Sequence, residues 1–309
     1  MRSRVHPPGA LLEPAYPYRM GKYLIFPVGR FWTVLCSGSL KYAFRKGHVR
    51  AVRRAILWDS EYIFTRYVEF FYSLKKRYTE SKNRVFREIA KNFLNHLYGK
   101  FAEERDRVIV DDKDDSGEMW RMDIIFPDDD TEGVEWVGFG RHVITKGKVE
   151  SPQAVVPIAA HVTDYGRMYL WKLIRFAGWG NVYYCDTDSI LVNEKGYYLL
   201  ESFIHPTVLG ALSVREEGRH VKIWGAKDYE FEGHKRIKGI REDAVPLSPD
   251  RFKQREFPSL AALLRLGIPS GYPVRTVEKK LTRRYVKGEV QSDGWVRPVR
   301  LQEAISGPP

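Results

Sequence analysis

The sequence predicts an α+β fold in which short antiparallel strands and hairpins are interspersed with a few amphipathic helices. Two observations predict it. Apolar residues recur at spacings of three and four through residues 63–74, 84–101 and 155–176, and β-branched and aromatic residues crowd short runs such as 182–184, 190–192 and 224–231. At 309 residues and 43% hydrophobic content the chain can bury a sizeable core, and it is long for one compact domain.

Residues 1–37 are rich in proline and aromatic side chains, with strand candidates at Tyr23 to Phe26 and Phe31 to Leu35. Ile63, Tyr67, Phe70, Phe71 and Leu74 have the spacing of an amphipathic helix. A polar break at Thr79 to Asn83 separates it from a second helix, so residues 59–100 predict an antiparallel helical pair. In residues 105–150 the Asp clusters 111–115 and 128–130 flank alternating runs at Met119 to Phe126 and Val134 to Phe139, which predict hairpins; the clusters themselves are expected to be solvated loops. Val155 to Phe176 predicts a helix packed on a sheet, with Ile158, Val162, Tyr165, Met168, Tyr169 and Leu173 as its buried stripe. Trp224 to Phe231 predicts a single strand carrying Lys227 and Tyr229 on one face. Beyond residue 245 the clearest periodicity is at Leu260, Leu263 and Leu264.

The net charge of +12 and an isoelectric point near 9.5 favour an anionic partner. Lys and Arg are spread over residues 45–54, 75–87, 235–241 and 279–284, which suits a basic surface facing a nucleic-acid backbone better than a basic tail. Cys36 and Cys185 are too far apart in sequence to suggest a disulfide framework and fit a reducing compartment. No apolar stretch has the length of a bilayer span, and the N-terminus has no signal-peptide core.

Two segments carry chemistry. In Tyr183-Tyr184-Cys185-Asp186-Thr187-Asp188-Ser189-Ile190, two carboxylates one residue apart interrupt a β-prone run, at the tight connection of a predicted hairpin. Strand alternation would aim Asp186 and Asp188 at one face, where like charges so close call for a cation. An Asx-rich turn bonded to its own backbone and a metal site for a sugar nucleotide are the other readings of this stretch taken alone. In the second segment, Arg84, Arg87, Lys91, Asn95 and Tyr98 form one helical stripe, cationic at one end and aromatic at the other. Ile89, Phe93 and Leu97 lie toward another side and are expected to anchor the helix. The stripe suits a ligand with phosphates at one end and a ring at the other; a solvated basic face ending at a Gly99 cap is the plainer reading.

Together these segments resemble the family B DNA polymerases, in particular the protein-primed, organellar and viral branch. Lys91, Asn95, Tyr98 and Gly99 match that family's fingers motif, and Tyr184-Cys185-Asp186-Thr187-Asp188-Ser189 is similar to its palm hairpin, with Cys before the first Asp. Lys227-Asp228-Tyr229 resembles the Lys-x-Tyr element that touches primer-template, and Arg236-Ile237-Lys238-Gly239 the basic segment after it. The tracts Pro17 to Lys22 and Phe26 to Phe31 resemble the stretch before the fingers.

The resemblance implies a right-hand polymerase with an antiparallel palm sheet, helical fingers and a small, partial thumb. Residues 1–58 would be a palm-side segment leading into the fingers, 59–104 the fingers helices, 105–150 an inserted hairpin region, 151–244 the palm and 245–309 the thumb. It implies template-directed nucleotidyl transfer, with two Mg²⁺ ions (or Mn²⁺) held by Asp186 and Asp188. Arg87, Lys91, Asn95 and Tyr98 would bind a deoxynucleoside triphosphate, and Lys227, Tyr229, Arg236 and Lys238 primer-template DNA. A terminal protein primer is a further partner of the branch, no membrane is implied, and the location would be intracellular, in a host cytoplasm or organelle. The family's first palm motif and exonuclease domain have no counterpart here, which implies a gene fragment, an internal start or one half of a split polymerase. With two of three palm carboxylates, the isolated chain is expected to hold DNA without extending it. A non-catalytic DNA-binding fragment is therefore the second hypothesis; an Asp-x-Asp glycosyltransferase is the third, and the helical motif and basic charge argue against it.

Overall fold

Apolar residues from four separated stretches meet in one core: Ala15 and Tyr16, Phe31 and Leu35, Ala43, and Trp171 with Ile174. The computed structural model that contains this core describes residues 2–5, 14–21, 23–256, 274–281 and 285–301. The chain divides into two units. The first comprises Met1–Phe101, Val156–His234 and Arg283–Pro309, and the second Ala102–Val155 and Lys235–Thr282.

In the first unit, strand Arg2–Val5 lies between Phe31–Val34 and Val49–Arg54 in an antiparallel three-stranded sheet. The expected strands form at Tyr23–Ile25 and Phe31–Val34. Helix α1 (Ser37–Arg45), which the sequence pattern does not announce, begins at Cys36, a residue with no side-chain oxygen for a cap. The cap comes from the later helix α4 (Val156–Ala177), whose Asp164 accepts the Ser39 amide at 2.8 Å; Asp164 is 1% exposed and is neutralised by Arg167 one turn on. A cap of this kind is worth roughly 0.5–2 kcal/mol. Tyr16 and His48, both buried, satisfy each other through Oη and Nδ1 at 2.6 Å.

Helices α2 (Thr65–Glu80) and α3 (Arg84–Lys100) form the expected antiparallel pair. The turn between them carries Lys82 at φ +55°, and Asn83 caps α3 by accepting the Phe86 amide at 3.2 Å. Three aromatic rungs join the helices: Tyr78 stacks on Phe86, Phe71 on Phe93 at 4.6 Å, and Phe64 meets Phe101. The rungs recur about every seven residues, two turns, which keeps them in one seam. Each pair adds about 0.5–1.5 kcal/mol beyond area burial. Ile89 and Phe93 are 44% and 49% exposed, Phe93 being covered on one side by Phe71, and Ala90 at 2% is the buried residue of α3. Gly99 lies within α3, not at its cap.

The α4 helix forms where periodicity predicts it, with Leu173 of the expected stripe buried and Met168 packed on the core, but half of that stripe turns outward. Ala159, Asp164, Trp171, Leu173, Ile174 and Ala177 are buried, whereas Val162, Tyr165 and Tyr169 are exposed. Two faces of α4 are apolar enough to be buried, and the one that packs is set by α1 and by the strands beneath it; the tyrosines, with their polar tips, tolerate the outside.

In the second unit, strands Glu104–Lys113, Arg141–Glu150, Thr131–Gly138 and Trp120–Phe126 make an antiparallel four-stranded sheet in that order. The strands Trp120–Phe126, at one edge, and Thr131–Gly138, beside it, were legible, but the inner strand Arg141–Glu150 was not; Glu104–Lys113 is the other edge strand, of mostly exposed charged residues, and lacks alternation. The Asp clusters pair with cations of the same sheet, Asp111 with Arg141 and both Asp128 and Asp129 with Lys146. A three-stranded sheet of Val245–Ser248, Arg251–Glu256 and Arg275–Lys280 completes the unit. Leu260, Leu263 and Leu264 lie outside the described residues.

Candidate functional site

The hairpin of Val182–Asp186 and Ser189–Val192 is pinned at its base and open at its tip. At the base, Asn181 donates to the Ala177 carbonyl at 2.7 Å, Asn193 donates to Asn181 through both backbone and side chain, and Asn193 caps helix α5 (Glu194–Leu200) at Gly196. Val182, Ile190 and Val192 pack on Leu173, Ala177 and Leu200, so α4 and α5 together fix the direction in which the tip points.

The tip is a two-residue turn, Thr187 and Asp188, in which Thr187 holds φ +50°. The Asp188 amide donates to the Asp186 carbonyl at 2.6 Å, and the Ser189 hydroxyl to the same oxygen at 3.0 Å. Strand alternation therefore stops at Asp186 and does not bring the two carboxylates to one face; it is the reversal of the chain that puts both at the tip. A left-handed residue without glycine costs about 1 kcal/mol or more, a cost that structures tolerate mainly at working sites. Among the described residues no group of three or more His, Cys, Asp or Glu is gathered for a metal.

A second hairpin closes on the first. Residues 224–231 are not one strand: Val221–Gly225 and Asp228–Phe231 pair across a turn at Ala226 and Lys227. Gly225 weakens the strand where the reversal occurs, and Lys227 sits at φ +60°. In that position the Lys227 amide donates to the Tyr184 hydroxyl at 2.8 Å, its ammonium lies 3.2 Å from Asp186 Oδ2, and the Tyr229 ring lies 5.5 Å from that of Tyr184. Burial pushes the Tyr184 phenol above its ordinary range. The Thr187 hydroxyl occupies the other oxygen, Oδ1, at 3.1 Å.

On α3 the predicted stripe is present, with Arg84, Asn95 and Tyr98 exposed and Arg87 and Lys91 half-buried. Glu88 stands between its two central cations, accepting from Arg87 at 2.5 Å and from Lys91 at 3.3 Å. The hydrogen bond from Lys91, with the charges of Lys91, Arg87 and Arg84, holds the Glu88 carboxyl below its ordinary value. Sequence reasoning missed two members of this group. Lys75 on α2 has its ammonium depressed by burial and by the nearby charges of Lys91, Arg215 and Arg87. The segment before Arg215 is tied to α2 by the Tyr72 hydroxyl, which donates to the Thr207 carbonyl at 3.1 Å. Lys75 was detectable: it falls between Phe71 and Tyr78 on the aromatic seam, where a cation is out of place. Arg236 and Lys238 belong to the second unit, where Arg236 pairs with Glu242 at 2.8 Å.

Residues 2–173 match the family described as DNA polymerase type B, organellar and viral. This chain belongs to that family. A probable DNA polymerase of Ascobolus immersus is 27% identical over 188 residues, which cover 57% of this chain and 14% of that protein. Among solved structures, the Phi29 DNA polymerase complex with primer-template DNA and incoming nucleotide substrates superposes with a TM-score of 0.52 at 13% identity, covering 92% of this chain and 50% of that one. The post-translocation complex of the same polymerase with primer-template DNA gives 0.50 at 15% identity, covering 91% and 50%. The type B polymerase chain thus has the α+β fold of the right-hand polymerases and spans about half the length of the solved one. Among its described residues no helix is long and apolar enough to cross a membrane.

Proposed function

We propose that this type B polymerase chain carries the nucleotidyl-transfer site of a DNA-directed DNA polymerase, with Asp186 and Asp188 as its metal-ligating carboxylates. The observation that supports this most is the docking of the Lys227–Tyr229 hairpin on the Asp186–Asp188 hairpin, which gathers carboxylates, a cation and paired rings within one unit. Two carboxylates at an exposed turn fit Mg²⁺, which binds through one or two carboxylates and completes its shell with water and substrate phosphates. When bound, a pair of such ions activates the primer 3′-hydroxyl and neutralises the leaving pyrophosphate.

The chain's own residues do the positioning. Asp188, with no carboxylate hydrogen bond to its own turn, is the principal ligand, and Asp186, shared with Lys227, is the weaker one. Lys91 and Arg87 receive the triphosphate once Glu88 yields, Lys75 and Arg215 enlarge the positive field around them, and Asn95 and Tyr98 line the sugar and base. Lys227 and Tyr229, and in the other unit Arg236 and Lys238, hold the primer-template backbone, while base pairing reads the template. By this reading residues 59–104 hold the fingers helices and 151–244 the palm.

The test is Mg²⁺-dependent incorporation of deoxynucleotides on primed DNA by the product of the complete reading frame, with residues 1–309 assayed beside it. Templated extension that Asp188→Asn abolishes supports the proposal. DNA binding without extension by the complete product would overturn it in favour of a non-catalytic DNA-binding protein, the reading that the Asp186–Lys227 ion pair favours.

A further inference from the structure

On the outer side of α1 and α4 runs a groove of about 700 Å³ that the polymerase reading leaves unused. Its walls alternate rings and cations. Tyr165, Tyr169, Lys172 and Phe176 follow one another along α4 at steps of four, three and four residues, so they share one helical face, and it is the face turned away from the core. Tyr165 and Phe176 are each 52% exposed, a large apolar commitment for a surface, although Phe176 meets the Phe203 ring edge-on at 5.0 Å.

The positive charge is equally one-sided. Lys41 and Arg45 line the groove from α1 and Lys172 and Arg175 from α4, and among the described residues no Asp or Glu lines it. Cations and rings are already organised with respect to one another. Arg175 donates to the Tyr42 hydroxyl at 3.3 Å and lies 5.8 Å from the centre of its ring, and the Lys172 ammonium lies 5.2 Å from that of Phe203.

We propose that this groove binds single-stranded nucleic acid, with bases stacked on Tyr165 and Tyr169 and the phosphates held by Lys41, Arg45 and Arg175. Sequence-tolerant single-strand sites combine these two elements, a basic track and a row of rings. Tyr165 and Tyr169 are one helical turn apart, about 6 Å along the axis, a step that an unstacked strand bridges and a stacked duplex, with its bases turned inward, does not use. The exclusive positive lining selects a polyanion, and the rings select one whose bases are free.

The experiment photo-crosslinks the whole chain to a short oligodeoxythymidylate carrying 5-iodouracil, maps the adducts by mass spectrometry, and measures affinity by fluorescence anisotropy. Adducts are expected on Tyr165 or Tyr169. The double variant Tyr165→Ala, Tyr169→Ala should weaken binding by about tenfold or more for each ring lost, and Lys41→Ala with Arg45→Ala should weaken it and lower its salt dependence. All four positions are on the surface, so the variants should retain the wild-type circular dichroism; the adduct map needs no variant at all. Binding by Asp188→Asn should equal wild type, which separates this site from the proposed catalytic one. Adducts confined to other elements, or unchanged affinity in the folded variants, would overturn the proposal. So would loss in those variants of binding to a Glu-Tyr copolymer with oligonucleotide binding intact, which would make the groove a docking surface for an acidic protein segment.

Discussion

The Lys227 ammonium lies 3.2 Å from the Asp186 carboxylate, and the backbone amide of the same lysine is held by the hydroxyl of Tyr184, two residues before that aspartate. One residue in a left-handed turn thus ties two hairpins together and neutralises a carboxylate that the polymerase reading assigns to metal. By that reading, the Lys227 ammonium and a divalent ion would compete for the Asp186 carboxylate.

That competition predicts opposite effects of one substitution. In Lys227→Ala, Mn²⁺ affinity measured by electron paramagnetic resonance in the absence of DNA should rise about two- to fivefold, the scale of a partly exposed ion pair. Affinity for primer-template should fall, with a salt slope lower by about 1. A fall in both affinities would show that Lys227 does not oppose the metal.

Asp188→Asn, made in the complete gene product, should reduce primer extension by orders of magnitude while leaving DNA affinity nearly unchanged, because the loss is in the transition state. Asp186→Asn should cost less, since Lys227 already shares that carboxylate. Primer-extension assays with a parallel DNA titration decide it, and equal extension by Asp188→Asn and wild type would remove Asp188 from the site.

On α3, Lys91→Ala should weaken nucleotide binding about tenfold, with Arg87→Ala milder and His96→Ala, off the stripe, near neutral. Glu88→Gln should do the reverse and tighten binding a few-fold, because it frees both cations. Equilibrium binding of a fluorescent deoxynucleotide measures all four. Unchanged affinity in Glu88→Gln would mean that Glu88 does not gate the cations.

Glu88 also sets a pH dependence. Its folded-state value lies below the ordinary 4.5, so its stabilisation is present above that pH and is lost as pH falls through the lowered value. Thermal melts from neutral to acid pH should show a loss below about pH 4.5 that is smaller in Glu88→Gln than in wild type.

The stacked pair Phe71 and Phe93 should couple by about 0.5–1.5 kcal/mol in a double-mutant cycle of alanine substitutions followed by denaturant unfolding. Additive single effects would reduce the seam to independent burial.

The sequence by itself determined what depends on neighbours along the chain. The break at Thr79 to Asn83, the periodicity on either side of it, and the β-prone runs flanking Asp186 and Asp188 are local signals, and the helical pair and the hairpin formed where those signals lie. The Lys91, Asn95, Tyr98 stripe was legible for the same reason. Tertiary structure decided everything that required a partner from elsewhere. The α1 helix depends on a cap from Asp164, more than a hundred residues away, so nothing near Cys36 announces it. The periodicity of α4 allows either of two faces to be buried, and only the elements packed against it choose which, leaving Tyr165 and Tyr169 outside. Lys227 reads as a strand residue until the Tyr184 hydroxyl and the Asp186 carboxylate hold it in a turn. Periodicity records which side chains share a face, but the energy that selects the buried face and the strained turn comes from contacts distant in sequence.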